Sequence, residues 1–218
     1  MLIGKAVAPV QKLIASWKDI VAARQAYDRL SELMLQDQGH SATRMTLPPP
    51  TGQLTVTAAT AVPPGSDKPV LMDIQFALEP GQVMAIVGPS AAGKTSLVKL
   101  LLGIWRPARG SVRLDGVELS DWSHDDVGPR LGYVPQEIDF HEGTVADNIA
   151  RLGTVDAQQV VAAAQAIQMH ETILKFPKGY DTPLGEGGFT PSGGQRQRLA
   201  IARALYGMPR YVVMDEPN

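Results

Sequence analysis

The chain has 218 residues, room for one sizeable domain and an appendage, since domains usually run to roughly 100–200 residues. Its 20 basic and 22 acidic residues leave a net charge of −2, which gives no electrostatic ground for nucleic acid as a partner. Cysteine is absent, excluding a disulfide framework and a thiol metal site, and no apolar run reaches the ~20 residues that span a bilayer.

In chain order, apolar residues first recur as Ile3, Val7, Val10, Ile14, Trp17 and Val21, then Tyr27, Leu30 and Met34. That spacing predicts a long amphipathic helix, kinked or broken early by Pro9. By periodicity alone it is a packing helix of a soluble domain, and the first 35 residues lack the basic start and cleavage site of a signal peptide. Residues 36–53 are polar and proline-rich and are expected to form a linker, so the domain proper starts at Leu54. Leu54–Val62 and Val70–Leu78, parted by a turn at Pro63–Lys68, are expected as an antiparallel β edge. Next come a strand at Val83–Val87, a glycine-rich loop, a helix at Lys94–Leu102, a hairpin at Ser111–Val117 and a strand at Leu131–Val134. Asp156 is placed to cap an alanine-rich helix, and helical pattern continues to Phe176. A glycine-rich loop, a helix over about Gln195–Tyr206 and a short apolar strand at Tyr211–Met214 complete an α/β order with an added β layer.

Three motifs carry chemistry. Gly88, Pro89, Ser90, Ala91, Ala92, Gly93, Lys94 and Thr95 read GPSAAGKT, the phosphate-loop pattern, between an apolar strand and a helix that Ser96 continues. Backbone amides at the helix start face phosphates, Lys94 reaches the β and γ oxygens, and the Thr95 hydroxyl binds Mg²⁺. A chance match in a chain of this length is on the order of one per cent, against the alternative of a plain glycine turn. YVVMDE, Tyr211–Glu216, is an apolar strand ending in two carboxylates: Asp215 suits Mg²⁺ and Glu216 suits activation of a water. By itself it would read as a strand running into a solvated acidic turn. Ser192, Gly193, Gly194 and Gln195 open SGGQRQR at the start of a helix, offering a hydroxyl and open amides as a second anion site.

These three segments, in this order, resemble the Walker A, signature and Walker B motifs of ATP-binding-cassette (ABC) ATPases. The resemblance extends to Gln136 in YVPQE, which matches the family's Q-loop glutamine and would contact Mg²⁺ and the attacking water. It further implies a P-loop NTPase fold with an antiparallel β layer and a helical subdomain over about 140–205. ATP and Mg²⁺ are the implied ligands, and two copies would assemble head to tail, each signature serine gripping the γ-phosphate held by the other. EGTVADNI (Glu142–Ile149) and GEGG (Gly185–Gly188) are similar to exporter segments. Over essentially its whole length, through APVQKLIASWKDIVAARQAYDRL, VPPGS, YDTPLGEGG, ARALYG and DEPN, the chain looks like type I protein-secretion exporters of the protease and lipase export subfamily. On that resemblance, residues 1–35 are the cytoplasmic end of the last transmembrane helix, 36–53 a linker and 54–218 the nucleotide-binding domain. A fused transmembrane domain, a periplasmic adaptor, an outer-membrane channel and a secreted polypeptide are the implied partners, at the cytoplasmic face of the inner membrane. The alternatives are an exporter of lipids, drugs or peptides, a soluble ABC ATPase, and a nucleotide-binding fragment without turnover.

The sequence departs from the family pattern in three places. Pro191 precedes the signature serine, biasing Thr190 to extended geometry and removing a backbone donor, with modest impairment expected. No aromatic residue lies between Tyr27 and Phe76, and Pro63 falls near the usual adenine-stacking place. Asn218 precedes the family's D-loop and switch histidine, so these 218 residues alone are expected to bind nucleotide without cooperative turnover. His40, His124, His141 and His170 read as ordinary loop or surface residues.

Overall fold

A computed structural model describes residues 17, 21–31, 50–122 and 124–215, and the chain divides into two units, Met1–Thr46 and Leu47–Asn218. In the first unit, helix α1 runs over 21–31 with Val21, Tyr27 and Leu30 exposed. The remainder of the expected long helix, with Pro9, and residues 36–49 of the expected linker lie outside the described residues. Among the described residues no helix is long and apolar enough to cross a membrane.

The second unit begins with a four-stranded antiparallel sheet in the order β2-β1-β3-β4, built from β1 (Leu54–Ala61), β2 (Leu71–Leu78), β3 (Arg109–Leu114) and β4 (Val117–Glu118). The β1–β2 register, Leu54 opposite Leu78 and Val56 opposite Phe76, confirms the expected edge pair. Leu54, Val56, Ala59 and Ala61 of β1 and Val112 and Leu114 of β3 turn inward. Against them packs helix α2 (Lys94–Leu101) through Leu97, Val98, Leu100 and Leu101. Burying a leucine as fully as Leu100, 1% exposed, stabilises by about 2 kcal/mol.

A helical layer follows: α4 (Val145–Ile149), α5 (Ala157–Ala166), α6 (His170–Leu174) and α7 (Gly193–Leu205), preceded by a single turn α3 (His124–Val127). The helix starts are set by local chemistry. Thr144 and Asp147 close a capping box on α4, Asp156 accepts from the amides of Gln158 and Gln159 on α5, and Ser192 and Gln195 close a capping box on α7. Val145, Ile149, Val160, Met169, Ile173 and Leu199 form the core of this layer, which the short β6 (Gly143–Thr144) and β7 (Pro183–Leu184) border. Between the layers, β5 (Leu131–Val134) and β8 (Tyr211–Met214) pair in parallel, with Tyr211 and Val213 joining the first core.

One expected strand is absent. Val83–Val87 makes no ladder, and Val83 and Val87 are 95% and 89% exposed. Its apolar run anticipates burial between two neighbouring strands, but among the described residues the parallel ladder stops at the β5–β8 pair and does not extend to this segment.

The β3–β4 turn fastens the start of the domain. Asp115 and Gly116 take positive φ, 51° and 81°, as a two-residue hairpin turn requires. The Asp115 carboxylate accepts from the Thr51 hydroxyl and from the amides of Thr51, Gly52 and Gln53. Partial burial pushes its pKa up, but these four donors outweigh that and hold the group below its usual value. A lowered folded pKa means the stabilisation is present above the unfolded carboxyl pKa of ~3.9 and fades as pH falls through the folded value. We therefore expect Asp115→Asn to lower stability at pH 7 by about 1 kcal/mol, with the gap to the parent closing below about pH 4, as read from urea unfolding at a series of pH values.

Candidate functional site

The loop Gly88–Thr95 folds over the start of α2. Ala91 takes φ 64°, the Ala92 amide donates to the Pro89 carbonyl, and Gly93, with φ 90°, ends the loop as the residue before the helix. A β-carbon on Gly93 would lie 3.0 Å from Leu71 and 3.5 Å from Val70, so glycine is needed for both its conformation and its closeness to β2. No side chain caps α2, and no acidic residue stands in its first turn. The loop thus leaves a helix N-terminus with its dipole unopposed, where Thr95 and Ser96 stand in the first turn. The Lys94 ammonium donates to the Gly88 and Pro89 carbonyls at 3.0 and 3.1 Å, and so stands over the loop in which a phosphate would be cradled.

Parallel pairing sets the next group. Val134 of β5 lies opposite Met214 of β8, so Gln136 and Asp215 both emerge from the carboxyl end of the same two strands. That is the edge at which α/β sheets present ligand-binding groups. The Asp215 amide donates to the Val134 carbonyl at 2.9 Å. Its side chain is 4% exposed, and Oδ2 has no hydrogen-bond partner among the described residues. A buried carboxylate oxygen left bare calls for a cation or a water. Burial, then the charge of Asp215, raises the pKa of Tyr133. Glu216 lies outside the described residues.

Ser192, Gly193, Gly194 and Gln195 stand on a separate element, the N-terminus of α7. Ser192 is extended, with φ −61° and ψ 163°; its hydroxyl accepts from the Gln195 amide, while the Gln195 side-chain oxygen accepts from the Ser192 amide at 2.9 Å. Pro191 therefore lies before the cap, where its missing N–H removes no helical bond. A β-carbon on Gly193 or Gly194 would meet nothing within 4 Å, and neither residue takes positive φ. Glycine in a helix is less favourable than alanine by about 1 kcal/mol, so two in succession without an internal reason fit the close approach of something from outside.

No cluster of three or more histidine, aspartate or glutamate side chains capable of holding a metal occurs among the described residues. Mg²⁺ does not need one, because it binds through one or two carboxylates with substrate phosphates and water. The bare Asp215 oxygen and a hydroxyl such as that of Thr95 are donors of the right hardness.

Two arginines passed over by the motif reading tie α7 to both flanks of Gln136. Arg203 donates to the Asp139 carbonyl at 2.9 Å and lies over the Phe140 ring. Arg151 donates to Gly128 and Leu131 on one side and to Arg203, Ala204 and Tyr206 on the other. Only a local signal could have announced them, and all of these acceptors are main-chain carbonyls distant in sequence.

The family model described as ABC transporter matches residues 71–218. Over its full length the chain is 45% identical to the type I secretion system ATP-binding protein PrsD of Rhizobium meliloti (strain 1021), covering 38% of that protein. It is 42% identical over 148 residues, 67% of the chain, to human ATP-binding cassette sub-family B member 6, covering 18% of it. It is also 42% identical over 146 residues, again 67% of the chain, to the ATP-dependent lipid A-core flippase of Burkholderia thailandensis, covering 24% of it. The chain therefore spans well under half the length of each relative.

The seat of α7 on β5 sets where its N-terminus stands. A β-carbon on Gly132 would lie 2.4 Å from the Ala204 carbonyl oxygen, so Gly132→Ala must push the helix off the strand. We expect a loss of about 2–4 kcal/mol, measured as a lowered urea midpoint with an unchanged slope.

Proposed function

The chain belongs to the ABC transporter family, and from that premise we propose that it binds Mg-ATP and hydrolyses it in a head-to-tail pair of copies. The observation that carries this reading is the phosphate loop, an uncapped helix N-terminus with the Lys94 ammonium folded onto the loop's own carbonyls. On binding, Lys94 exchanges those carbonyls for the β and γ phosphate oxygens, while the loop amides of Gly88 and of Ser90 to Ser96 line the other side. Thr95, Gln136 and Asp215 are the residues assigned to Mg²⁺, which offsets the phosphate charge when bound. Gln136 orients the attacking water, and Glu216 accepts its proton as the oxygen attacks the γ-phosphorus and the bond to ADP breaks. Ser192 and the amides of Gly193, Gly194 and Gln195 grip the γ-phosphate on the second copy, a role supported by the open space above both glycines.

For the whole protein we infer type I secretion of a polypeptide, with residues 1–35 as the cytoplasmic end of a transmembrane helix and 36–53 as a linker. The fused transmembrane domain, an adaptor, an outer-membrane channel and a place at the cytoplasmic face of the inner membrane belong to the same inference. Its support is coverage: similarity to the secretion protein runs through the whole chain, whereas the lipid flippase and the sub-family B member align to about two thirds of it. Deleting the gene should remove a secreted polypeptide from the medium and leave lipid export intact; the reverse result would move the protein to the flippase class.

Two substitutions in the full-length protein test the chemistry. Lys94→Ala should reduce ATP hydrolysis at least about a hundredfold by removing the phosphate cation, and Glu216→Gln should retain ATP binding and accumulate a closed dimer. Steady-state phosphate release and size-exclusion chromatography with ATP read the two effects. Hydrolysis at the parent rate in Glu216→Gln would refute the assignment of the base.

A further inference from the structure

Among the described residues, Arg151 stands out by using every donor of its side chain. Its guanidinium has five N–H donors, and all five are used: Nε on the Arg203 carbonyl at 3.0 Å, Nη1 on Gly128 and Leu131 at 2.8 and 2.9 Å, and Nη2 on Ala204 and Tyr206 at 2.9 and 3.3 Å. Every acceptor is a neutral main-chain oxygen, and no carboxylate pairs with it among the described residues. Three of the oxygens belong to the last turn and cap of α7, where carbonyls lack helical partners and the helix dipole favours a cation. The other two lie in the turn before β5 and on its first residue.

The backbone confirms that the arrangement is held against a preference. Arg151 and Leu152 take φ 58° and 59° in succession, a left-handed pair that side chains other than glycine, asparagine and aspartate adopt rarely. Such a conformation persists where its surroundings over-determine it. Here it turns the arginine from the end of α4 back towards α7 and β5. Arg203 adds a second tie, from α7 to Asp139 and Phe140 on the far side of Gln136.

We propose that Arg151 is a positioning residue that locks the carboxyl end of α7 to the strand leading to Gln136, so that Gln136 and the Ser192–Gln195 anion site shift as one body during turnover. Closing two copies on ATP then brings Gln136 to the γ-phosphate held by its own copy as the Ser192–Gln195 site meets the γ-phosphate held by the other. The proposal rests on the ATPase reading above, and its test separates the two.

In the full-length protein, Arg151→Ala and Arg151→Lys are compared with the parent in steady-state ATP hydrolysis and in binding of a fluorescent ATP analogue. Both variants are expected to bind the analogue within about twofold of the parent, because the phosphate loop is untouched, while kcat falls roughly tenfold. Lysine should not substitute, since an ammonium has three donors for five acceptors. Millimolar methylguanidinium should restore kcat in Arg151→Ala and leave Arg151→Lys slow. Parental turnover in Arg151→Lys would overturn the proposal, because a charge alone would then suffice. Loss of analogue binding together with kcat, unrelieved by methylguanidinium, would also overturn it, leaving Arg151 as a support of the fold. A parent that does not hydrolyse ATP at all would remove the ATPase reading and this proposal with it; an active parent with equally active variants removes the clamp alone.

Discussion

The architecture depends on how closely α7 approaches β5. Gly132 has no side chain, and Ala200 and Ala204 are the smallest residues a helix can present while still burying carbon, so the helix backbone lies almost directly on the strand. Its other side sends Leu199 and Ala202 into the helical core. One helix therefore belongs to two packed layers, and its glycine-led N-terminus is aimed by both.

Charge placement follows from this frame. Two helices, α2 and α7, present their amino ends without an acidic residue in the first turn, and the capping on α7 comes from neutral Ser192 and Gln195. Neither end is neutralised from within, so each keeps a partial positive charge suited to phosphate. The carboxyl end of the β5–β8 pair supplies the opposite sign through Asp215, buried and lacking a partner at Oδ2. An anion bound by the loop with a divalent cation at the carboxylate would satisfy both, which is the physical reason that these residue types occur together in a nucleotide site.

Much of this was legible in the sequence, and the reason differs from element to element. Motifs that work through backbone geometry announce themselves, because GPSAAGKT and SGGQ are short, contiguous and dictated by what a phosphate requires. Capped helices were also readable: Asp156 stands ahead of α5, and its carboxylate accepts from the amides of Gln158 and Gln159. The Val83–Val87 segment misled, since an apolar run records a preference for burial without recording which strand will supply the ladder. Arg151 was invisible for a related reason. Its partners are carbonyls, which every residue carries, so no side-chain pattern marks them. The αL turn at residues 151 and 152 is equally silent, there being no glycine to signal it.

The β5–β8 pairing has a consequence for how the molecule assembles. Leu131 aligns with Tyr211 across the entire helical layer, whereas β1 to β4 join neighbours mostly through short connections and the caps of α4, α5 and α7 are wholly local. Loop-closure entropy makes distant pairing the slow step of a chain such as this, to be met after the segments between have condensed. During synthesis the strand bearing Asp215 also emerges after every other described element. The amino-terminal sheet and helical layer can thus acquire their form while the carboxylate end of the site is still unmade.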